Sequence, residues 1–156
     1  MRIDEGSKHW LEAAAWSGGG IRREVFFFES GGVDLYGSLY AATELSRPYG
    51  LLACGSWGVE GTRTEPLRRS AALAMARLGG AAMVFHWPGH GDSLGDPAGL
   101  ALADFAAAAA DAVAAAERRV PDLEWIFAGF MFGAAAACIA LRERGGGRLL
   151  LSLIHI

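Results

Sequence analysis

Trp125-Ile126-Phe127-Ala128-Gly129-Phe130-Met131-Phe132-Gly133, followed by an alanine-rich run to Leu141, is the stretch whose reading decides the fold. It reads as a short buried strand, a sharp turn centred on Met131, and then a helix. Glycines stand two residues to either side of the centre. A turn that tight needs glycine at both flanks, because a Cβ there would collide with the adjoining strand and helix backbones. Such a turn lifts its central side chain above the carboxyl end of a parallel sheet. Here that side chain is a thioether, which has no proton to lose and is a poor nucleophile toward carbonyls.

Outward from this stretch, strand and helix signals alternate. Leu51 to Cys54 is a short apolar run ending in Gly55-Ser56-Trp57-Gly58, which suits a buried parallel strand entering a loop. Thr62 to Glu65 before Pro66 reads as a helix start. Leu67, Ala71, Ala74 and Leu78 then fall on one face, and Gly79-Gly80 stops the helix. Ala81 to Phe85 is a further buried strand running into His86-Trp87-Pro88-Gly89-His90-Gly91-Asp92-Ser93. Leu100 to Arg119 is alanine-rich and helix-forming, with Asp104 and Asp111 on its polar face, and Pro121-Asp122 breaks it. After the elbow helix, Gly145-Gly146-Gly147 turns the chain into a strand at Arg148-Leu149-Leu150. Nearer the amino end, Val25 to Glu29 and Val33 to Ala41 form a hairpin about Ser30-Gly31-Gly32, and Arg47-Pro48-Tyr49-Gly50 is a turn. This order implies right-handed crossovers and an α/β three-layer sandwich with a mainly parallel sheet, the hairpin placing one antiparallel strand near an edge. Residues 1–20 are weakly patterned: His9 to Trp16 suits a short helix and Ser17-Gly18-Gly19-Gly20 a flexible linker. The domain proper is thus expected at 21–150.

Composition bounds the function. Of 156 residues, 53% are hydrophobic and 20% charged, ample for a core and too apolar for disorder. The formal charge is -3 with no basic run, which points away from nucleic acid and anionic membranes. The pairs Arg22-Arg23, Arg68-Arg69 and Arg118-Arg119 read as solvated element ends. Cys54 and Cys138 have neither disulfide nor metal spacing, so a reducing cytoplasm is expected. Residues 1–20 carry Asp4 and Glu5 and lack the apolar core of a signal peptide. Ile126 to Leu141 falls short of the roughly 20 residues that a membrane helix needs. His86, His90 and Asp92 lie on a Gly/Pro turn rather than a helix face, so no metal is assigned to them. No cofactor is assigned either. Cys54 has no legible base, and Ser93 is a turn residue in such a motif.

In these segments the chain resembles the N-terminal half of the α/β-hydrolase superfamily, from about Glu24 to Leu150. Cys54-Gly55-Ser56-Trp57 stands where that superfamily places its His-Gly oxyanion loop. Pro88-Gly89-His90-Gly91-Asp92-Ser93 looks like its G-x-G-x-S turn, and Gly129 to Gly133 matches the G-x-S-x-G nucleophile elbow. Three departures stand out: Cys54 for the usual His, His86 for a common Asp, and Met131 for the nucleophile. The Gly58-Val59-Glu60 loop and the serine-less elbow are most similar to a bacterial subgroup of serine hydrolase- and aminopeptidase-like proteins whose elbow commonly reads G-L-R-x-G. Some of its members are exosortase-associated and encoded beside exopolysaccharide-export genes. The resemblance implies that Ser56 and Phe132 lend backbone N–H groups to an oxyanion hole. It gives Gly89, His90, Gly91, Asp92 and Ser93 a structural role, and implies a small acyl or ester ligand. It also implies a triad order in which the acid and the histidine follow the elbow, beyond residue 156. Leu151-Ser152-Leu153-Ile154-His155-Ile156 is what CTG-TCT-CTT-ATA-CAC-ATC encodes, a transposon end used as a sequencing adapter. The expected plan is therefore a truncated α/β-hydrolase fold with an adapter-derived tail at 151–156, whose last strand is an exposed edge open to self-association. Two functions stay open: a pseudoenzyme or binding module, and an ester or acyl hydrolase or acyltransferase completed in a full-length parent.

Overall fold

The computed structural model of the chain describes residues 15–152. Its strands are β1 (Trp16–Gly18), β2 (Ile21–Ser30), β3 (Val33–Ala42), β4 (Tyr49–Cys54), β5 (Ala81–Phe85), β6 (Glu124–Phe130) and β7 (Arg148–Ser152). The helices are α1 (Gly58–Arg77), α2 (Leu102–Glu117) and α3 (Phe132–Glu143). One sheet carries all seven strands in the order β1-β2-β3-β5-β4-β6-β7. Its β5-β4-β6-β7 half is parallel, and β1, β2 and β3 join it by antiparallel pairing. The antiparallel part is larger than the hairpin reading implies, because Trp16–Gly18 adds a strand against Ile21–Arg23.

The strands are apolar on both faces because helices cover both. On one face Leu52, Cys54, Met83, Phe85, Trp125 and Phe127 pack under α2 and α3. On the other, Leu51, Ala53, Ala82, Val84 and Ala128 meet Ala72 and Ala76 of α1. This is the three-layer arrangement, and the strand period of two sorts the residues between layers. The alanines of α2 let that helix lie close to the sheet: Ala106, Ala108, Ala109, Ala112, Ala115 and Ala116 are all buried. Among the described residues no helix is long and apolar enough to cross a membrane.

Several expectations need correction. Helix α1 begins at Gly58, four residues before the reading at Thr62, so Pro66 lies inside it. The carbonyl that loses its donor to proline belongs to Thr62, on the exposed side of the helix where water can replace the bond. The buried face is Gly61, Thr64, Arg68, Ala72 and Ala76, not Leu67, Ala71, Ala74 and Leu78; Leu67 is 42% exposed and Leu78 67%. Arg68 is 2% exposed, so it is no solvated helix end. Arg119 is likewise engaged, its guanidinium 3.4 Å from the Phe26 ring centroid and its Nε 3.0 Å from Glu24. Ser17 and Gly18, read as linker, belong to β1, and Gly19-Gly20 is its turn into β2. Tyr49 and Gly50, read as turn, open β4. The helix expected over His9 to Trp16 lies outside the described residues except for its end, where Trp16 is strand. Of the 151–156 tail, Leu151 and Ser152 complete β7 and the rest lies outside the described residues.

Candidate functional site

The elbow forms where β6 ends and α3 begins, at the carboxyl edge of the parallel strands. Met131, its apex, has φ 50° and ψ -113° and stands at the N-cap of α3. A non-glycine residue there stores strain of about 1–3 kcal/mol, which the surroundings must hold. They do so through Met131 N–H donating to Ser152 O at 3.0 Å and Met131 O accepting from Ala134 N–H at 3.0 Å. The flanking glycines are required by space. A Cβ on Gly129 would overlap the Ala134 backbone, and one on Gly133 would overlap both Cys54 O and Gly55 O. The elbow is therefore seated directly on the loop after β4.

That loop is held in turn from the sheet and the 86–93 turn. Trp87 Nε1–H donates to Gly55 O at 2.9 Å, and Ser56 beside it is buried. Phe132 opens α3, so its N–H is one of the four amides that a helix leaves without an internal acceptor, at the positive end of the helix dipole. Around these backbone groups stands an aromatic cluster. Trp57 lies 5.2 Å from Phe105 and 6.5 Å from Phe132, while Phe105 and Phe132 are 5.0 Å apart edge to face. Backbone donors beside an apolar wall suit a ligand with a polar oxygen on a hydrophobic body.

The turn at 86–93 is a closed network. Ser93 Oγ–H donates to His86 O at 2.7 Å, and Ser93 Oγ accepts from Tyr36 N–H at 2.9 Å. Its hydroxyl is thus fully used in pinning the turn to β3. Asp92 N–H donates to His86 Nδ1 at 3.0 Å, which puts the proton of the neutral ring on Nε2. Burial holds His86 below its usual pKa, against the pull of the Glu65 carboxylate. His90 Nε2–H donates to Gly58 O at 3.1 Å, so both described histidines orient backbone. Among the described residues no three of His, Cys, Asp and Glu converge as metal ligands. Burial pushes the Cys54 thiol up to about 12, which keeps it protonated and inert.

Residue typing missed the anchors beneath the site. Arg68 lies under Gly55, its Nη1 donating to Phe85 O at 3.0 Å and its Nη2 paired with Glu65. Burial lowers the Arg68 pKa, and the Glu65 carboxylate opposes that shift. The signal that could have found Arg68 is the helical spacing of Gly61, Thr64, Arg68, Ala72 and Ala76, with a charge in an otherwise small-residue row. Trp87 and Phe105 likewise carried no legible role in the sequence.

No protein-family model matches the chain, and no curated protein matches it. Solved structures do. A cold-adapted esterase from an Arctic intertidal metagenomic library superposes with TM-score 0.73 at 20% identity, over 92% of this chain and 65% of that one. A candidate α/β hydrolase of unknown function from Agrobacterium tumefaciens gives TM-score 0.68 at 20% identity, over 81% and 58%. An α/β serine hydrolase without a lid from Xanthomonas campestris gives 0.64 at 19%, over 83% and 60%. The chain thus spans less than two thirds of the length of each. At such identities the likeness establishes the fold.

Proposed function

Starting from an α/β-hydrolase fold, we propose that this chain is a non-catalytic binding form of it, which holds a small acyl or ester ligand by its oxygen and does no covalent chemistry. The observation that carries this reading is Met131 at the elbow apex with φ 50°. The strained backbone that would present a nucleophile is kept, while the side chain it presents cannot attack a carbonyl. In this reading the Ser56 and Phe132 amides are the oxyanion donors, and Trp57, Phe105 and Phe132 receive the apolar part of the ligand. The test is a titration of ¹⁵N-labelled chain with butyrate. The amide signals of Ser56 and Phe132 should move together and saturate. Shifts confined to other residues would reject this site.

A second reading, an ester or acyl hydrolase or acyltransferase in a longer parent, is favoured by the esterase among the similar structures and by the chain's 65% span of it. There the acid and base would follow residue 156.

The partner most open to the chain is a second copy of itself. Among the described residues β7 is a terminal strand of the sheet, and its Leu149, Leu150 and Leu151 are 39, 59 and 45% exposed. These leucines alternate between the two faces, so the strand offers apolar surface on both sides of an unpaired backbone edge. Antiparallel pairing of two β7 strands would bury both sets. Sedimentation of the 156-residue chain should show dimers or larger species, and Leu150→Lys should shift the distribution toward monomer. A monodisperse wild-type monomer would remove this proposal.

A further inference from the structure

Trp87, on the 86–93 turn, is buried against the loop that follows β4. Its indole is 2% exposed and wedged edge to face against Phe85 at 4.6 Å and Phe105 at 5.6 Å. It therefore cannot follow a moving partner. That partner is Gly55 O, which accepts from Trp87 Nε1–H at 2.9 Å.

The chain has no cis peptide bonds among its described residues, so the Gly55–Ser56 unit is trans. In a planar trans peptide the carbonyl oxygen and the following N–H point in opposite directions. A bond that fixes the Gly55 carbonyl therefore also fixes the Ser56 amide. Glycine makes this bond useful, because without a Cβ the Gly55 ψ is weakly restrained, which leaves the φ preference of Ser56 as the main local constraint on how the peptide faces. Packing confines the unit: Arg68 lies so near Gly55, and Gly55 O so near Gly133, that a Cβ on either glycine would overlap its neighbour. Packing sets where the unit sits, while a directional hydrogen bond selects which way it faces.

We propose that Trp87 is a positioning residue for the acyl-oxygen site: its indole N–H selects the orientation of the Gly55–Ser56 peptide and so aims the Ser56 amide at the bound oxygen. This rests on the reading of Ser56 as a ligand donor. It predicts that the indole N–H, rather than indole bulk, is what the site needs.

The test uses two replacements at position 87 in the full chain: Trp87→Phe, and benzothienylalanine, which keeps the bicyclic shape and puts sulfur in place of N–H. Residual dipolar couplings report the direction of each backbone N–H in the unliganded chain. In both variants the Ser56 coupling should depart from its wild-type value while those of Ala53 and Ala134 stay. The butyrate Kd should rise about tenfold and that of 1-chlorobutane, which offers no oxygen acceptor, stay within about twofold, since only an oxygen-bearing ligand needs the aimed amide. General loosening of the core would weaken both ligands together. A Ser56 coupling unmoved in the benzothienyl variant overturns the role of Trp87 alone, even where Trp87→Phe fails to fold. A wild-type chain whose Ser56 amide ignores butyrate overturns the acyl-oxygen reading first, and the proposal with it.

Discussion

A fluorophosphonate probe should leave the 156-residue chain unlabelled, and an activated ester should give no burst. Removing a triad serine takes away on the order of 10⁶ in turnover, leaving about 10³–10⁴ over water from the oxyanion hole and binding. In the proposed reading Met131 stands at the apex where such a serine would be, and the chain should start from that loss. Met131→Ser alone should not restore labelling, because a hydroxyl needs a base to take its proton. The two described histidines are both held by backbone: His86 Nδ1 accepts from the Asp92 amide, and His90 Nε2–H donates to Gly58 O. In a longer parent carrying the acid and the histidine, the same substitution should restore labelling. An adduct on the unmodified chain at Ser56 or Ser93 would show a nucleophile outside the elbow and sink the non-catalytic reading. Ser93 is the harder of the two to imagine, as its hydroxyl both donates to His86 O and accepts from Tyr36 N–H.

The second large effect is on stability. Gly133→Ala should cost at least about 4 kcal/mol, the range reserved for changes that the surroundings cannot absorb. The new Cβ would overlap Cys54 O and Gly55 O, which are backbone atoms at the end of a central strand rather than yielding side-chain tips. With a domain's total stability at about 5–15 kcal/mol, the variant should be largely unfolded or strongly shifted in urea midpoint. Gly129→Ala should behave similarly, since its Cβ would overlap the Ala134 backbone. Ala135→Gly, on the exposed side of α3, is the comparison and should cost only about 1 kcal/mol. Urea unfolding of Gly133→Ala within about 1 kcal/mol of wild type would mean that the elbow is not seated against the loop.

Much of the fold was legible because local rules and tertiary demands agree there. Short uncharged runs at Leu51, Ala81 and Trp125, bounded by turn residues, suit strands covered on both faces, and glycine pairs and triplets mark where the chain turns. The elbow was legible for the same reason: two glycines four apart between a strand and a helix answer a steric need that exists before any long-range contact forms. Helix α1 shows where agreement fails. Its start could not be read at Gly58, because the Pro66 signal is strong locally and its cost is removed by solvent at Thr62. Its buried face could not be read from apolarity, because the row facing the sheet is small except for Arg68.

What the sequence by itself determined is the class of architecture, the position of the elbow and the thioether at its apex, since these follow from periodicity, glycine sterics and the residue that stands there. What only the tertiary structure decided is how the site is held. Arg68 and Glu65 come from one helix, Trp87 from a turn and Gly55 from a strand end, and each becomes meaningful only where the sheet brings those ends together. Burial then changes the chemistry of each group: an arginine becomes a brace, a cysteine stays protonated, and an indole N–H finds one carbonyl. Solvent exclusion is a property of the assembled fold, and no window of sequence contains it.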